Sequence, residues 1–168
     1  VQDKTMFEKA LRLAAKAGLK ICLDLASYNI VAEQVDFFKS MISKYVDILF
    51  ANEEEIRALT GLSPEEGAVE ISEVCELVVI KLGAEGSFCV CKDKLIRVGV
   101  RPSKAIDTTG AGDLYAAGYI YGHMKELPPE ICGKMGAILS GRVIELIGAK
   151  MDESNWENLR REIAALEI

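Results

Sequence analysis

The chain has 168 residues, half of them hydrophobic and 27% charged, with a formal net charge of -6. That length suits one compact domain with a real core. The acidic balance argues against a general nucleic-acid or anionic-membrane binder, although it leaves room for a local pocket that takes one small anion.

In chain order, residues 4–17 place Met6, Phe7, Ala10, Leu11, Leu13, Ala14 and Ala17 at helical spacing, and Gly18 is a natural stop. A buried strand is expected at 20–26, a helix at 31–45 and a second strand at 46–51. Asn52 then stands where a helix cap belongs, followed by three acids that suit the positive end of the helix dipole, and the helix should end at Gly61. After a turn, "PEEGAVEISEVC" reads as helix, and "LVVIKLG" (77–83) is the strongest strand in the chain. Strands at 87–91 and 94–100 form a hairpin through Lys92-Asp93. Helices are expected at about 110–124 and 129–147, and again at 153–168. Apolar strands alternating with amphipathic helices predict an α/β fold with a mostly parallel sheet flanked by helices. No repeat, low-complexity tract or linker divides it, so residues 1–168 read as a single α/β domain.

No apolar run reaches the roughly 20 residues of a membrane-spanning helix, and the first 20 residues hold acids and lack a signal-peptide cleavage pattern. Cys22, Cys75, Cys89, Cys91 and Cys132 show no Cys-x-x-Cys spacing, and the expectation is buried, reduced thiols in a cytoplasmic protein. A single histidine, His123, excludes a histidine-rich metal site. The chain opens on Val1, inside a helical pattern, as a fragment or a processed piece would.

The stretch with chemistry in it is "DTTGAGD", Asp107 to Asp113. Glycines let the backbone turn tightly and approach a ligand. The following helix leaves its first N–H groups unpaired beside the positive end of its dipole, which makes a ready anion site. It is not a Walker A loop, because no lysine follows. Nor is it a dinucleotide fingerprint, since Tyr115 occupies the third small-residue position. An acid inside an anion site has two readings. Asp113 either accepts the proton of an alcohol attacking a phosphoryl group, or it is a solvated acid that complements the helix dipole. A carboxylate is a weak base, yet phosphoryl transfer tolerates that, because positioning and charge stabilisation do most of the work.

"DTTGAGDLYAAGYIYG" resembles the carboxy-terminal signature of the PfkB carbohydrate kinases, which have the ribokinase-like fold. Three further stretches fall in that family's order: "ANEEE" at its Asn-x-x-Glu element, "VIKLGAEGSFCV" at its nucleotide segment and "VIELIGAK" at its late cation-loop segment. Together they span residues 20 to 150 or so. The resemblance implies a catalytic base at Asp113 and an anion hole at Gly110, Ala111 and Gly112. It implies that Asn52 and Glu55 organise magnesium, through water, and phosphate, while Lys81, Gly83 and Gly86 border ATP. Asp107, Thr109, Val143 and Gly148 fall around a monovalent cation such as potassium. Glu53 and Glu54 keep the plainer reading of a solvated first helical turn. The resemblance also implies that the chain is the carboxy-terminal half of a larger kinase domain, with the acceptor pocket and lid outside it.

Sugar kinases of the family usually carry Asp-x-Asn-x-Arg after the strand that here reads "CLDLASYNI". This chain keeps only Asp24, and it looks more like the adenosine kinase group. The expected activity is therefore ATP-dependent phosphorylation of a hydroxymethyl group on a ribosyl compound, with adenosine or a related nucleoside ahead of a simple sugar of the ribokinase or fructokinase type. A non-catalytic nucleotide-binding module is the alternative from another class. The expected partner is a small-molecule substrate, with no nucleic acid and no membrane, and homo-oligomerisation is left open.

Overall fold

Three short parallel strands and the helices that cross between them organise the first part of the chain. The computed structural model describes residues 3–167. Its elements are α1 (Lys4–Lys16), β1 (Cys22–Asp24), α2 (Tyr28–Glu33), α3 (Val35–Tyr45), β2 (Ile48–Asn52), α4 (Glu53–Thr60), α5 (Pro64–Ser72), β3 (Leu77–Lys81), β4 (Ser87–Cys91), β5 (Lys94–Val98), α6 (Ala111–Met124), α7 (Pro129–Val143) and α8 (Glu153–Ala164). The strands lie in one sheet in the order β1-β2-β3-β4-β5. The fold is thus the expected α/β type, with a mostly parallel sheet. The chain groups into two compact units: one runs to Leu82 and includes Cys89–Leu95, the other holds Gly83–Phe88 and everything from Ile96 onward.

In the first unit, β1 pairs parallel with β2, and β2 with β3, in the registers Asp24↔Phe50 and Asn52↔Lys81. Parallel neighbours need a crossover, which α2 and α3 supply between β1 and β2, and α4 and α5 between β2 and β3. Because both faces of the sheet are covered, β2 and β3 are apolar without alternation, and Ile48, Leu49, Phe50 and Val78–Ile80 are all at most 1% exposed. Each such side chain contributes roughly 1.5–3 kcal/mol through burial.

The helix expected at 31–45 is two helices. Gln34, at φ -139° and ψ 33°, leaves helical geometry between α2 and α3. No glycine or proline marks the break, and the apolar stripe continues across it, with Val31 buried in α2 and Phe38, Met41 and Ile42 in α3. The hairpin between β4 and β5 is as expected. Lys92 and Asp93 both have positive φ, as a two-residue type I′ turn requires.

In the second unit, α6 and α7 pack face to face through glycines. A Cβ built on Gly118 would lie 2.7 Å from the carbonyl oxygen of Met135 and 2.9 Å from Cα of Gly136. The two backbones therefore meet with no side chain between them. Tyr115 anchors the same face, its hydroxyl 2.7 Å from Ser87 Oγ in a buried hydrogen bond. A second cluster of Leu139, Val143, Met151 and Leu159 joins α7 to α8, and Ala111 and Leu114 from the first turn of α6 pack against it. That contact fixes where α6 begins. Arg142 adds polar ties, donating to Asn155 Oδ1 at 2.7 Å and to Glu145 at 2.9 Å.

The thiols follow the expectation in part. All five cysteines are free, but only Cys75, Cys89 and Cys132 are buried, while Cys91 is half-buried and Cys22 exposed. Burial pushes the Cys75 thiol up to about 12, so this cysteine is an inert packing residue. No helix among the described residues is long and apolar enough to cross a membrane.

Candidate functional site

Parallel strands deliver their carboxyl ends to one edge of a sheet, where open α/β folds place their ligands. In the first unit, the residues at that edge are Asp24, Asn52 and Lys81, which close β1, β2 and β3. Asn52 caps α4. Its Oδ1 accepts the N–H of Glu55 at 2.9 Å, while Glu55 Oε2 accepts the N–H of Asn52 at 2.8 Å. Such a reciprocal box satisfies two otherwise unpaired donors at the helix start. Of the three acids in that turn, Glu54 is exposed, Glu53 half-buried and Glu55 only 4% exposed. Burial pushes the Glu55 carboxyl up, against the pull of the Asn52 N–H and of the Lys81 ammonium. The capping box joins Asn52 to Glu55, strand register sets Lys81 opposite Asn52, and Glu55 keeps Oε1 clear of the box.

The structure adds Asp24 to this group. Its Oδ2 accepts from Lys81 Nζ at 2.6 Å. Sequence reasoning noticed Asp24 only as the remnant of a sugar-kinase pattern. The partnership spans 57 positions and depends on strand register, which no local spacing reveals.

In the second unit, Gly83 opens a single 3-10 turn (Gly83–Glu85), and Gly86, at φ 92°, lies where a Cβ would be 2.3 Å from the carbonyl oxygen of Val98. Both glycines serve the tight turn before β4. The loop at 107–113 is held from below. Asp107 Oδ1 accepts the N–H and the hydroxyl of Thr109 at 2.9 and 2.7 Å, and Oδ2 accepts the N–H of Gly148 at 2.8 Å. One carboxylate therefore staples the loop to the segment after α7. Gly110 caps α6 at φ 79°, with Ala149 Cβ only 2.7 Å from where a Cβ would sit. Both facts demand glycine.

Ala111, Gly112 and Asp113 form the first turn of α6. The Ala111 N–H is used, donating to the carbonyl of Thr108 at 3.1 Å. The N–H groups of Gly110, Gly112 and Asp113 have no acceptor among the described residues. With the helix dipole behind them they suit an anion. Asp113 itself is exposed at the third position of the helix.

Val143 does not join the loop through its side chain. It is fully buried with Leu139, Met151 and Leu159, and its carbonyl accepts the N–H of Leu146 at 3.1 Å. Asp107 likewise has both oxygens engaged by the protein. Asp107 is thus an internal staple of the loop, while its Oδ2 and the Val143 carbonyl, which each accept one hydrogen bond, keep a second lone pair.

That staple yields a pH prediction. The donors from Thr109 and Gly148 hold the Asp107 carboxyl below the usual carboxylate range. A depressed value means that the stabilisation is complete above the ordinary aspartate pKa of about 3.9 and is lost only as pH falls through the lower folded value. The amide resonance of Gly148 should therefore titrate with a midpoint below that of a free aspartate. In Asp107→Asn it should already be shifted at neutral pH, because an NH2 group then faces the Gly148 N–H. A midpoint at or above the free value would remove the staple.

Comparison with known proteins places these features. Residues 2–155 match the family described as pfkB family carbohydrate kinase. An uncharacterized sugar kinase of Archaeoglobus fulgidus is 36% identical over 110 residues, covering 65% of this chain and 44% of that protein. A nucleoside kinase of Methanocaldococcus jannaschii is 31% identical over 140 residues, covering 81% of this chain and 46% of its own length. The crystal structure of adenosine kinase from Sinorhizobium meliloti superposes with a TM-score of 0.87 at 31% identity, over 95% of this chain and 50% of that one. The chain thus spans about half the length of these relatives. A match that reaches from the amino-terminal helix past the loop stapled by Asp107, with both the strand-end group and the α6 turn inside it, shows that this chain belongs to the PfkB family of carbohydrate kinases.

Proposed function

We propose that the protein carrying this chain is an ATP-dependent phosphotransferase that moves the γ-phosphoryl group to a hydroxymethyl group of a ribosyl compound, adenosine or a related nucleoside first among them. The observation that carries this reading is the start of α6, where three uncommitted N–H groups and an exposed carboxylate share one helical turn. N–H groups so aimed stabilise the equatorial oxygens of a transferring phosphoryl group. Asp113 lies beside them and takes the proton from the attacking hydroxyl, with the phosphoryl group supplied by ATP.

The strand ends of the first unit supply a second set of polar groups. Glu55 Oε1 is the oxygen that would order water around magnesium, and Lys81 offers its ammonium to phosphate. Gly83 and Gly86 keep a bare backbone turn next to the nucleotide. Potassium enters this reading as an activator, acting at the loop that Asp107 and Gly148 tie down.

The nucleoside preference is supported by the missing Asn and Arg after Asp24 and by the nucleoside and adenosine kinases among the similar proteins. A sugar kinase is the second reading, and the Archaeoglobus fulgidus relative favours it. A panel of acceptors assayed with the complete protein decides between them. The expected result is a kcat/KM for adenosine well above those for ribose and fructose. A clear preference for a free hexose would reverse the order.

A further inference from the structure

Lys81 does not point its ammonium freely out of the sheet edge. Its Nζ lies 2.6 Å from Asp24 Oδ2, and β1 and β3 are separated by β2. Two strand spacings are roughly 10 Å, so the lysine side chain reaches across the end of β2, where Asn52 closes the strand opposite Lys81. The ammonium is thereby drawn toward the amino end of α4, close enough to Glu55 for its charge to be felt there. A helix amino end disfavours a cation. The acids of the α4 first turn offset that, and among the described residues Asp24 is the one group that hydrogen-bonds the ammonium and so fixes its position.

Asp24 is itself aimed. Its Oδ1 accepts the N–H of Ala26 at 3.2 Å. Ala26 has a φ of 60°, and the Ser27 N–H closes on the carbonyl of Leu25 at 2.7 Å. This is a three-residue turn of the rare positive-φ kind, strained for a residue with a Cβ. Strain of this sort gathers where a side chain must be oriented. The alternative is that the ion pair merely latches β1 to β3. The two side chains are 27% and 17% exposed, and a pair at that depth gives little net stability because desolvation offsets its attraction. As a latch it achieves little; as an orienting contact it fixes a cation that keeps two further N–H donors for a ligand.

We infer that Asp24 is a positioning residue for Lys81, holding its ammonium across the end of β2 beside Asn52 and Glu55 so that it meets the phosphate oxygens of the nucleotide. This rests on the phosphotransfer reading above. Asp24 touches no substrate and acts only through Lys81.

The test is a double-mutant cycle in the complete protein, with kcat and KM for ATP and the melting temperature measured for each variant. Lys81→Met should raise KM for ATP about tenfold, the loss of one charge-assisted contact, and Asp24→Asn should raise it roughly three- to tenfold. The melting temperatures should fall only modestly, since each of these variants leaves one partly buried charge without its partner. Asp24→Glu, which keeps the charge, should restore most of the loss. In the Lys81→Met background, Asp24→Asn should have no further effect. Independent, multiplying effects would overturn the inference, as would an Asp24→Asn protein that unfolds, since Asp24 would then be a latch. A wild type that turns over while Asp24→Asn matches it overturns this inference alone. A wild type that neither binds ATP nor transfers phosphate overturns the phosphotransfer reading and this inference with it.

Discussion

Replacing Asp113 with asparagine should cut turnover of the complete protein about 100- to 10,000-fold, the usual worth of a positioned general base, and leave ATP affinity nearly unchanged. The amide matches the carboxylate in shape but cannot take a proton. The N–H groups of Gly112 and of residue 113 itself are untouched by the change, so the anion site should persist. The competing role, an acid that complements the helix dipole, predicts a different pattern. An exposed acid in the first turn is worth only about 0.3–1 kcal/mol, so its loss would lower the melting temperature slightly and turnover by no more than a few-fold. Single-turnover rates, ATP titration and thermal melts together separate the two. Equal losses of ATP binding and turnover would make Asp113 structural.

Why the loop was legible and the strand-end group only half so is a matter of range. The loop at 107–113 and the capping box at Asn52 are local: the atoms that hold them lie within a few residues, and residue type at fixed spacing is enough to read them. The long reach of Asp107 to Gly148 came into view only through a family likeness. Asp24 and Lys81 are joined by the register of two strands on either side of a third, and neither neighbourhood carries a mark of it. The break at Gln34 failed to show for the opposite reason. Its apolar stripe stays in phase on both sides, so periodicity describes two helices as well as one. Val143 shows a third kind of limit. The family likeness gave its position, but a side chain closing the α7–α8 core and a carbonyl already bonded to Leu146 are facts of packing.

The contact of α6 with α7 leads to the second large effect, because two terms of opposite sign meet at Gly118. Alanine is a better helix former than glycine by about 1 kcal/mol, so propensity alone would have Gly118→Ala stabilise the protein. The added methyl, however, would sit 2.7 Å from the Met135 carbonyl oxygen and 2.9 Å from the backbone of Gly136. Those atoms belong to helix backbone and cannot step aside as a side-chain end would. The facing position offers no relief, since a Cβ on Gly136 would lie 2.7 Å from the Tyr115 carbonyl oxygen. The helices must therefore separate. Overpacking of this kind costs roughly 1–3 kcal/mol even where side chains can adjust, so the clash outweighs the gain in propensity. Gly118→Ala should lower stability by about 1–2 kcal/mol, or roughly 2–8 °C in melting temperature, and Gly118→Val by more. Gly99→Ala, at a position with open space around it, is the control and should change stability by less than about 0.5 kcal/mol. The loss should reach the chemistry as well. Asp113 lies five residues before Gly118 on the same helix, about 7.5 Å along its axis, and Ala111 and Leu114 seat that end against the α7–α8 cluster. Moving α6 off α7 moves the anion-facing turn with it, and catalysis is sensitive to misplacement on the order of 1 Å. Gly118→Ala should therefore reduce kcat at a temperature where the variant is still fully folded. A variant as stable and as active as the wild type would mean that the two helices do not meet at these glycines.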